Sequence, residues 1–322
     1  MKQPENFSFR NYPVEPEDFR AHVIEGFSSH PKYLSPRFFY DARGSELFEQ
    51  ITRLPEYYPT ETEKGILLDN SAEISSLLAD ELTIIEPGSG NSEKVELLLG
   101  RFSGIRQYIP IEISGEHLKQ RCMALAQQYP AIQMDAVEAD YMDSRFSLNG
   151  LKNNESQSVI FFPGSSLGNY EPVKAIEVLS RFREACGEGC MLLIGIDLIK
   201  DRQILEQAYN DSQGVTAEFN KNLIMRMRNQ LGMNIHPDDF EHLAEFNEQE
   251  SRIEMYLISK KNQRLVTFGH VFELNQGERI LTEYSHKYTI EGFHKLAGEA
   301  GFRPVKTFTD AGELFSVHLM KG

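Results

Sequence analysis

Short apolar runs alternate with amphipathic stretches through the middle of the chain. The runs occupy residues 82–85, 108–113, 132–137, 158–162 and 191–196. Each is short and rich in Ile, Val, Leu or Phe, so we interpret them as buried strands. Residues 172–185 carry Val173, Ile176 and Leu179 at helical spacing behind Pro172, which favours a helix. This alternation predicts an α/β protein with a parallel, doubly wound sheet.

The pattern changes after the fifth predicted strand. Residues 200–231 favour long helices. An antiparallel meander is predicted over residues 253–259, 264–274 and 279–288. A helix over 290–300 then precedes two close strands, 304–308 and 314–320, which a hairpin-length loop connects.

A parallel sheet that ends in an antiparallel hairpin resembles the seven-stranded, Rossmann-like core of methyltransferases that use S-adenosyl-L-methionine (SAM). On this interpretation residues 76–199 form the SAM-binding core and residues 289–322 complete it. Residues 200–288 are then an inserted α+β substrate-binding domain. Residues 1–75 favour helices and loops rich in aromatic side chains, and we expect this segment to contribute to the substrate domain.

Composition and charge narrow the class of protein. The chain has 322 residues, of which 40% are hydrophobic, enough for one large domain or two ordinary ones. A formal net charge of −15 argues against a surface that binds nucleic acid. The three cysteines have no disulfide spacing, and no window is apolar enough for a signal peptide or membrane span. We expect a cytoplasmic, soluble monomer that acts on a small molecule.

The segment between the first predicted strand and the next helix has the form of a cofactor-binding turn. Glu86-Pro-Gly88-Ser-Gly90 follows the strand directly, and a helix is predicted from Glu93. A dinucleotide site would have a third glycine at position 93 and a pyrophosphate on the helix N-terminus. Carboxylates at positions 86 and 93 repel a pyrophosphate but attract a cation. The turn therefore favours SAM, which carries a sulfonium and an ammonium; a turn without any cofactor is the alternative.

Acidic residues follow the next two predicted strands. Glu112 ends the second strand, and Asp140-Tyr141 follows the third. Because the carboxyl ends of parallel strands share one sheet edge, Glu112 can accept hydrogen bonds from both ribose hydroxyls of an adenosine. Asp140 is placed for the adenine amino group, with Tyr141 against the ring. The alternative for each carboxylate is an exposed strand-end residue that binds nothing.

The turn after the fourth strand allows a rival function. Gly164-Ser-Ser166-Leu-Gly168 matches the nucleophile elbow of α/β-hydrolases, with Ser166 as the nucleophile. In that motif a helix begins directly behind the serine, whereas here Pro172 delays it. Asp197 and several later histidines offer partners for a triad, so a serine hydrolase and a plain tight turn both stay open. No histidine spacing matches a zincin-type motif, and we expect no metal.

Several segments together resemble one family, the histidine-specific Nα-methyltransferases of ergothioneine biosynthesis. They are Tyr40-Asp-Ala-Arg-Gly-Ser-Glu-Leu-Phe48, Glu56-Tyr-Tyr-Pro-Thr60, and residues 86–94, 108–114, 164–169, 208–209, 214–220, 253–255 and 282–287. The resemblance runs from about residue 20 to the C-terminus. It implies SAM-dependent methylation of the α-amino nitrogen of free L-histidine, ending in the trimethylated betaine hercynine. Methylation of another amino acid, or SAM binding without catalysis, are the alternatives.

The resemblance also implies roles for individual residues. SAM would be held by Gly88, Ser89, Gly90, Lys94, Glu112, Asp140 and Tyr141. The substrate would be bound by Phe48, Tyr57, Gly164, Ser166, Asn169, Tyr209, Met255, Glu283 and Ser285, with Tyr40 and Asn169 as the catalytic residues.

Within the substrate set, the resemblance divides the substrate's groups among the residues. The expected contacts are Asn169 and Tyr209 with the carboxylate, Tyr40 with the amino group, Tyr57, Glu283 and Ser285 with the imidazole, and Phe48 and Met255 around the ring. Glu283 and Ser285 are two residues apart in a predicted strand, so both project from one face while Tyr284 points away. The chain departs from the family pattern at Glu112, where aspartate is expected, and at Ser166, which is often threonine.

Overall fold

The chain forms two compact units in the computed structural model, which describes residues 4–12, 18–90, 93–143, 147–148, 150–152 and 155–322. The first unit comprises Met1–Glu15, Glu61–Leu198 and Tyr288–Gly322, and the second comprises Pro16–Thr60 and Ile199–Lys287. Compared with the expected division, residues 1–15 and 61–75 belong to the first unit rather than to the unit that contains the insertion.

The regular elements cover most of the described chain. The strands are β1 (Phe7–Asn11), β2 (Lys32–Tyr33), β3 (Leu82–Pro87), β4 (Ile105–Glu112), β5 (Gln133–Glu138), β6 (Gln157–Phe162), β7 (Met191–Asp197), β8 (Phe240–Asn247), β9 (Arg252–Ser259), β10 (Gln263–Thr267), β11 (His270–Leu274), β12 (Arg279–His286), β13 (Arg303–Thr309) and β14 (Phe315–Lys321). The α-helices are α1 (Phe19–Ser28), α2 (Ala42–Ile51), α3 (Tyr58–Asp69), α4 (Ser71–Ser76), α5 (Glu93–Arg101), α6 (Gly115–Gln128), α7 (Pro172–Cys186), α8 (Arg202–Tyr209), α9 (Val215–Leu231) and α10 (Ile290–Glu299). Among the helices that the structure describes, none has the length and apolar character to cross a membrane.

In the described part of the first unit, an eight-stranded sheet has the order β1-β5-β4-β3-β6-β7-β14-β13. Neighbouring strands are parallel, except that β14 runs antiparallel to both β7 and β13. Successive strand residues point to opposite faces, so Ile84 joins a core with α5 and α6 whereas Ile85 joins a core with α7 and α10. Helices therefore cover both faces, which confirms the predicted doubly wound α/β fold.

The seven strands predicted for this core all lie in the sheet. β3, β4, β5, β6 and β7 match the five apolar runs to within a few residues, and β13 and β14 form the expected hairpin. β1 corrects the prediction that its segment holds only helices and loops: Phe7 is buried and the strand pairs in parallel with β5. The alternation of Phe7, Ser8 and Phe9 is a strand signal, but it spans only 5 residues at a sheet edge.

The described part of the second unit contains a four-stranded sheet in the order β2-β12-β9-β8 and a separate hairpin of β10 and β11. β9 pairs antiparallel with β12 and with β8, a strand the sequence does not predict. The predicted meander would instead have paired both β9 and β12 with the segment between them, so its strand order is wrong although the sheet is antiparallel at these strands. The prediction that residues 264–274 belong to the meander is wrong, because they turn back at Phe268 and Gly269 and pair with themselves. α1, α2, α8 and α9 contribute to the hydrophobic core of this unit.

Candidate active site

The turn after β3 depends on two glycines. Gly88 and Gly90 adopt the left-handed region, with φ of 67° and 51°, where side chains other than glycine are strained. The N–H groups of Gly88 and Ser89 donate to the carbonyl of Ile111 at 2.8 and 3.3 Å, which anchors the turn to β4. A Cβ on Gly88 would lie 3.7 Å from the Tyr141 ring. The predicted cofactor residues of the turn and Tyr141 therefore lie together at the carboxyl end of the sheet.

Glu112 ends β4 and faces this turn. Its Oε2 accepts the N–H of Gly90 at 3.2 Å, and its Oε1 accepts the N–H of Ile113 at 2.8 Å. Each carboxylate oxygen has a second lone pair, so the half-buried side chain can still accept hydrogen bonds from two hydroxyl groups. The orientation therefore suits the expected contact with a ribose.

Asp140 and Tyr141 follow β5 at the same edge. The N–H of Met142 donates to Asp140 Oδ1 at 2.7 Å, which orients the carboxylate. The Tyr141 hydroxyl lies 2.8 Å from that of Tyr170, and its ring centroid lies 5.7 Å from that of Phe182. Burial, and then the neighbouring Tyr170, raise the pKa of Tyr141 well above its ordinary value. Tyr141 is therefore a neutral, well-packed hydroxyl beside the glycine turn.

Glu86 is a buried carboxyl group directly before the turn. The Tyr108 hydroxyl donates a hydrogen bond to it. Burial raises the pKa of Glu86 to about 8, in spite of the opposing effects of Tyr108 and the Lys94 charge. A cation bound nearby would favour the ionised form of Glu86. Glu86 is therefore a carboxyl group whose charge responds to a cation bound at the turn.

Lys94 pairs with a residue that the sequence motifs do not reveal. Its ammonium forms an ion pair with Glu63, whose side chain is only 1% exposed. The same carboxylate accepts the N–H of Gly164 at 3.0 and 2.9 Å. Glu63 thus connects α5 to the loop after β6. If Lys94 binds an anionic group of the cofactor, its ammonium interacts with Glu63 and with that group at the same time. No local signal marks Glu63, since Gly164 lies 101 positions away.

The loop after β6 does not have the geometry of a nucleophile elbow. Its residues with positive φ are Gly164 and Ser165, at 81° and 55°, and the Ser165 hydroxyl accepts the N–H of Asp197 at 2.9 Å. Ser166 is exposed and donates to the Pro163 carbonyl at 3.1 Å. It opens a short 3-10 helix that ends at the half-buried Asn169. The hydrolase alternative requires a strained serine that is followed directly by an α-helix, and Ser166 meets neither condition.

Aromatic residues of the predicted substrate set form one cluster in the second unit. The Tyr40 ring contacts Phe48 at 5.6 Å between centroids, and Phe48 contacts Tyr57 at 6.4 Å. Tyr57 in turn lies 6.3 Å from Tyr209. Phe219, which sequence reasoning does not single out, completes the cluster at 5.7 Å from Tyr40 and 6.0 Å from Phe48. Tyr40 is 46% exposed, so it lies at the edge of the cluster rather than inside it.

Glu283 and Ser285 share one face of β12, as the alternation predicts. Glu283 stands opposite Met255 of β9 in the antiparallel register, so these two predicted residues are direct neighbours. Tyr284 points to the other face, where the Arg252 guanidinium lies 3.5 Å from its ring centroid. The sheet thus presents a carboxylate, a hydroxyl and a thioether side by side.

Lys287 continues this face and is the second residue that the motifs miss. Its side chain is 2% exposed, and its ammonium donates to the Ser285 hydroxyl at 2.8 Å and to the Tyr209 hydroxyl at 3.0 Å. Tyr209 in turn donates to Ser285 at 2.8 Å. Extending the alternation from Glu283 and Ser285 by two residues would have found Lys287. Tyr209, which the resemblance assigns to the substrate carboxylate, thus donates its hydroxyl hydrogen to Ser285 in this structure.

Electrostatics set Glu283 apart from ordinary surface carboxylates. Burial raises its pKa to about 7, and the Lys287 charge acts in the opposite direction. Near neutral pH the group is therefore poised between its neutral and ionised forms. A ligand N–H that donates to it would favour the ionised form.

Comparison with known proteins identifies a family of methyltransferases. The model of a family described as histidine-specific, SAM-dependent methyltransferases matches residues 19–322. The chain is 38% identical to the histidine N-alpha-methyltransferase of Mycolicibacterium smegmatis, with 94% of each chain covered. It is 35% identical to the histidine N-alpha-methyltransferase of Mycobacterium tuberculosis, with 93% of this chain and 94% of that protein covered. It is also 30% identical to ergothioneine biosynthesis protein 1 of Neurospora crassa, over 90% of this chain and 33% of that protein.

Proposed function

The chain belongs to the histidine-specific, SAM-dependent methyltransferases, and we propose that it methylates the α-amino nitrogen of free L-histidine. As a member of this family it is an N-methyltransferase with SAM as the methyl donor. The product we propose is the trimethylated betaine, hercynine, a step of ergothioneine biosynthesis. The names of the two mycobacterial relatives and of the fungal relative support this assignment.

We propose that two residues on one face of β12 determine the specificity for histidine. A carboxylate such as Glu283 accepts a hydrogen bond from an imidazole N–H, and the Ser285 hydroxyl can serve the other ring nitrogen. An apolar side chain of similar size would leave the Glu283 carboxylate and the Ser285 hydrogen without a ligand partner, at about 1–3 kcal/mol each. That cost corresponds to a preference for histidine over leucine of about one to several powers of ten.

The first unit offers a site that fits SAM. Gly88, Ser89 and Gly90 form a turn without bulky side chains, and Glu112 beside it supplies a carboxylate for the ribose. The buried Glu86 can balance the positive charge of the ligand. We assign the cofactor to these residues, together with Asp140, Tyr141 and Lys94 at the same edge. When bound, SAM supplies a methyl group that is electrophilic because it is attached to a sulfonium.

The substrate amine must be neutral to react, and this requirement is modest. If the ammonium of a free amino acid titrates about two units above neutral pH, deprotonation costs about 2.7 kcal/mol. Holding reactants in a productive geometry can contribute about 7–11 kcal/mol, so a strong general base is unnecessary. We propose that the Tyr40 hydroxyl or a water accepts a hydrogen bond from the substrate ammonium as its proton leaves, and that Asn169 helps to orient the substrate.

One incubation tests the assignment. The protein, SAM and a panel of free amino acids are combined, and the products are followed by mass spectrometry. We expect histidine to gain one, two and finally three methyl groups while leucine and phenylalanine stay largely unmodified. Equal turnover of histidine and leucine contradicts the histidine assignment, and absence of SAM consumption with every amino acid contradicts the catalytic one.

We further propose that the protein acts in the cytoplasm as a monomer. Cys122, Cys186 and Cys190 are free and buried, which is compatible with a reducing compartment. Cell fractionation and light scattering coupled to size-exclusion chromatography test the two parts of this proposal.

A further inference from the structure

We propose that Lys287 fixes the direction of the hydrogen bond that Ser285 offers, and thereby decides which protonation form of an imidazole the site accepts. The inference rests on the proposed function, because it assigns a specificity role within the histidine site. Lys287 acts through Ser285 and is therefore a positioning residue.

Counting donors and acceptors leads to this assignment. A serine hydroxyl has one hydrogen to donate and two lone pairs that accept. Ser285 Oγ accepts from the Lys287 ammonium at 2.8 Å and from the Tyr209 hydroxyl at 2.8 Å. An ammonium can only donate, so Ser285 and Tyr209 both accept from Lys287, Tyr209 at 3.0 Å, and the Tyr209 hydroxyl donates its own hydrogen to Ser285. Both lone pairs of Ser285 are therefore occupied, and only its hydrogen is available to a ligand.

Burial makes this arrangement selective. Lys287, Ser285 and Tyr209 are 2%, 4% and 8% exposed, so little water is available to replace a missing partner. A ligand atom that cannot accept the Ser285 hydrogen leaves a buried donor unpaired, which is unfavourable.

Glu283 completes the recognition pattern on the same face. Its carboxylate offers an acceptor, and the Lys287 charge favours the ionised form against the effect of burial. One donor beside one acceptor matches a neutral imidazole, in which one nitrogen accepts and the other donates. An imidazolium donates from both nitrogens, so it would point a hydrogen at the Ser285 hydrogen and add a charge near Lys287. The site therefore selects the neutral ring.

The test compares histidine with the two β-pyrrolyl-L-alanines, whose rings donate through an N–H but contain no accepting nitrogen. kcat/KM is measured for histidine and for both pyrrole isomers, and the isomer with the higher kcat/KM is compared with histidine. We expect the wild type to prefer histidine by at least about 100-fold. In Lys287→Met the Ser285 hydroxyl can turn its hydrogen toward Tyr209, so we expect this preference to fall at least about tenfold.

Lys32→Met is the matched control. Lys32 is also a buried lysine of the second unit, 5% exposed, but its ammonium pairs with Glu278 at 2.6 Å. We expect this variant to keep the wild-type preference. Affinity for S-adenosylhomocysteine, measured by calorimetry, reports whether each variant is folded. If Lys287→Met fails that check, Lys287→Gln replaces it, because the amide oxygen can accept the Ser285 hydrogen and the same fall is expected.

The possible outcomes separate this inference from the proposed function. If the folded Lys287 variant loses activity equally with histidine and the pyrrole, or keeps its preference, Lys287 does not set the direction of the Ser285 bond and the inference is overturned. In that case histidine methylation by the wild type still stands. If the wild type does not methylate histidine, the proposed function fails and this inference fails with it.

Discussion

Glu63 and Gly195 approach each other so closely that a methyl group on the glycine would lie 1.8 Å from Glu63 Oε1. Glu63 is the carboxylate that pairs with Lys94 and accepts the Gly164 N–H. The glycine in β7 therefore provides the space in which this carboxylate organises the loop after β6.

Gly195→Ala should damage both stability and the cofactor site. The added methyl group must displace Glu63, and such overpacking costs about 1–3 kcal/mol. We expect a lower free energy of unfolding in urea and weaker binding of S-adenosylhomocysteine in calorimetry. Gly298→Ala is the control, because a Cβ at this helical position of α10 has nothing within 4 Å. It should be neutral or stabilise by up to about 1 kcal/mol. Wild-type stability and affinity in Gly195→Ala would contradict the close approach.

Glu112→Ala should weaken cofactor binding without unfolding the protein. The side chain is half-buried at the end of β4, and the proposed ribose contacts are hydrogen bonds to a charged group. Their loss should raise the Kd for S-adenosylhomocysteine about 10- to 100-fold. Calorimetry measures this change, with Glu116→Ala as the control because that residue is exposed on α6. An unchanged Kd in Glu112→Ala removes the ribose assignment.

Glu283→Ala should lose histidine activity far more than SAM affinity. We expect kcat/KM for histidine to fall at least about 100-fold, because the imidazole N–H loses a charged acceptor. The affinity for S-adenosylhomocysteine should change less than about twofold, since Glu283 belongs to the second unit. The larger, apolar cavity should also raise relative activity toward aromatic amino acids. Steady-state kinetics across amino acids check this; a parallel loss for every amino acid indicates a general structural role.

The raised pKa of Glu283 predicts a pH dependence of stability. Burial raises this pKa from 4.5 to about 7. Between these values the folded protein retains a proton that the unfolded chain has lost, so the group lowers stability as the pH rises through that window. Glu283→Gln stays neutral and should become more stable relative to wild type as the pH rises, by at most about 3 kcal/mol. Urea unfolding of both proteins at about pH 4.5 and about pH 8 measures this; a difference that does not change with pH contradicts it.

The main sheet could be predicted because buried parallel strands are continuous apolar runs with recognisable helices between them. β1 and β8 escaped prediction for different reasons. β1 is short and lies at an edge, and in β8 the neighbouring His242 and Leu243 interrupt the apolar–polar alternation of the sequence. In both cases pairing with a distant strand decides the structure more than the local pattern does.

Some residues of the candidate site could likewise be predicted from the sequence, and others could not. Gly88 and Gly90 can be recognised in the sequence because a turn with positive φ favours glycine. Strand alternation predicts that Ser285 shares a face with Glu283. Glu63 has no such signal, because a buried glutamate looks in the sequence like a surface residue until its partners are known. Strand alternation places Lys287 on the same face as Ser285, but its burial and its hydrogen bonds become visible only in the folded structure.

The position of β14 between β7 and β13 has a consequence for how the protein is made. β14 comes last of the strands in chain order, so during synthesis β7 is complete long before its antiparallel partner leaves the ribosome. Every residue of β7 is buried in the finished sheet, and until β14 arrives the backbone N–H and C=O groups along one of its edges are unpaired. Until β14 is synthesised, the growing chain therefore carries an apolar strand edge with unpaired backbone groups, and such an edge is prone to aggregation.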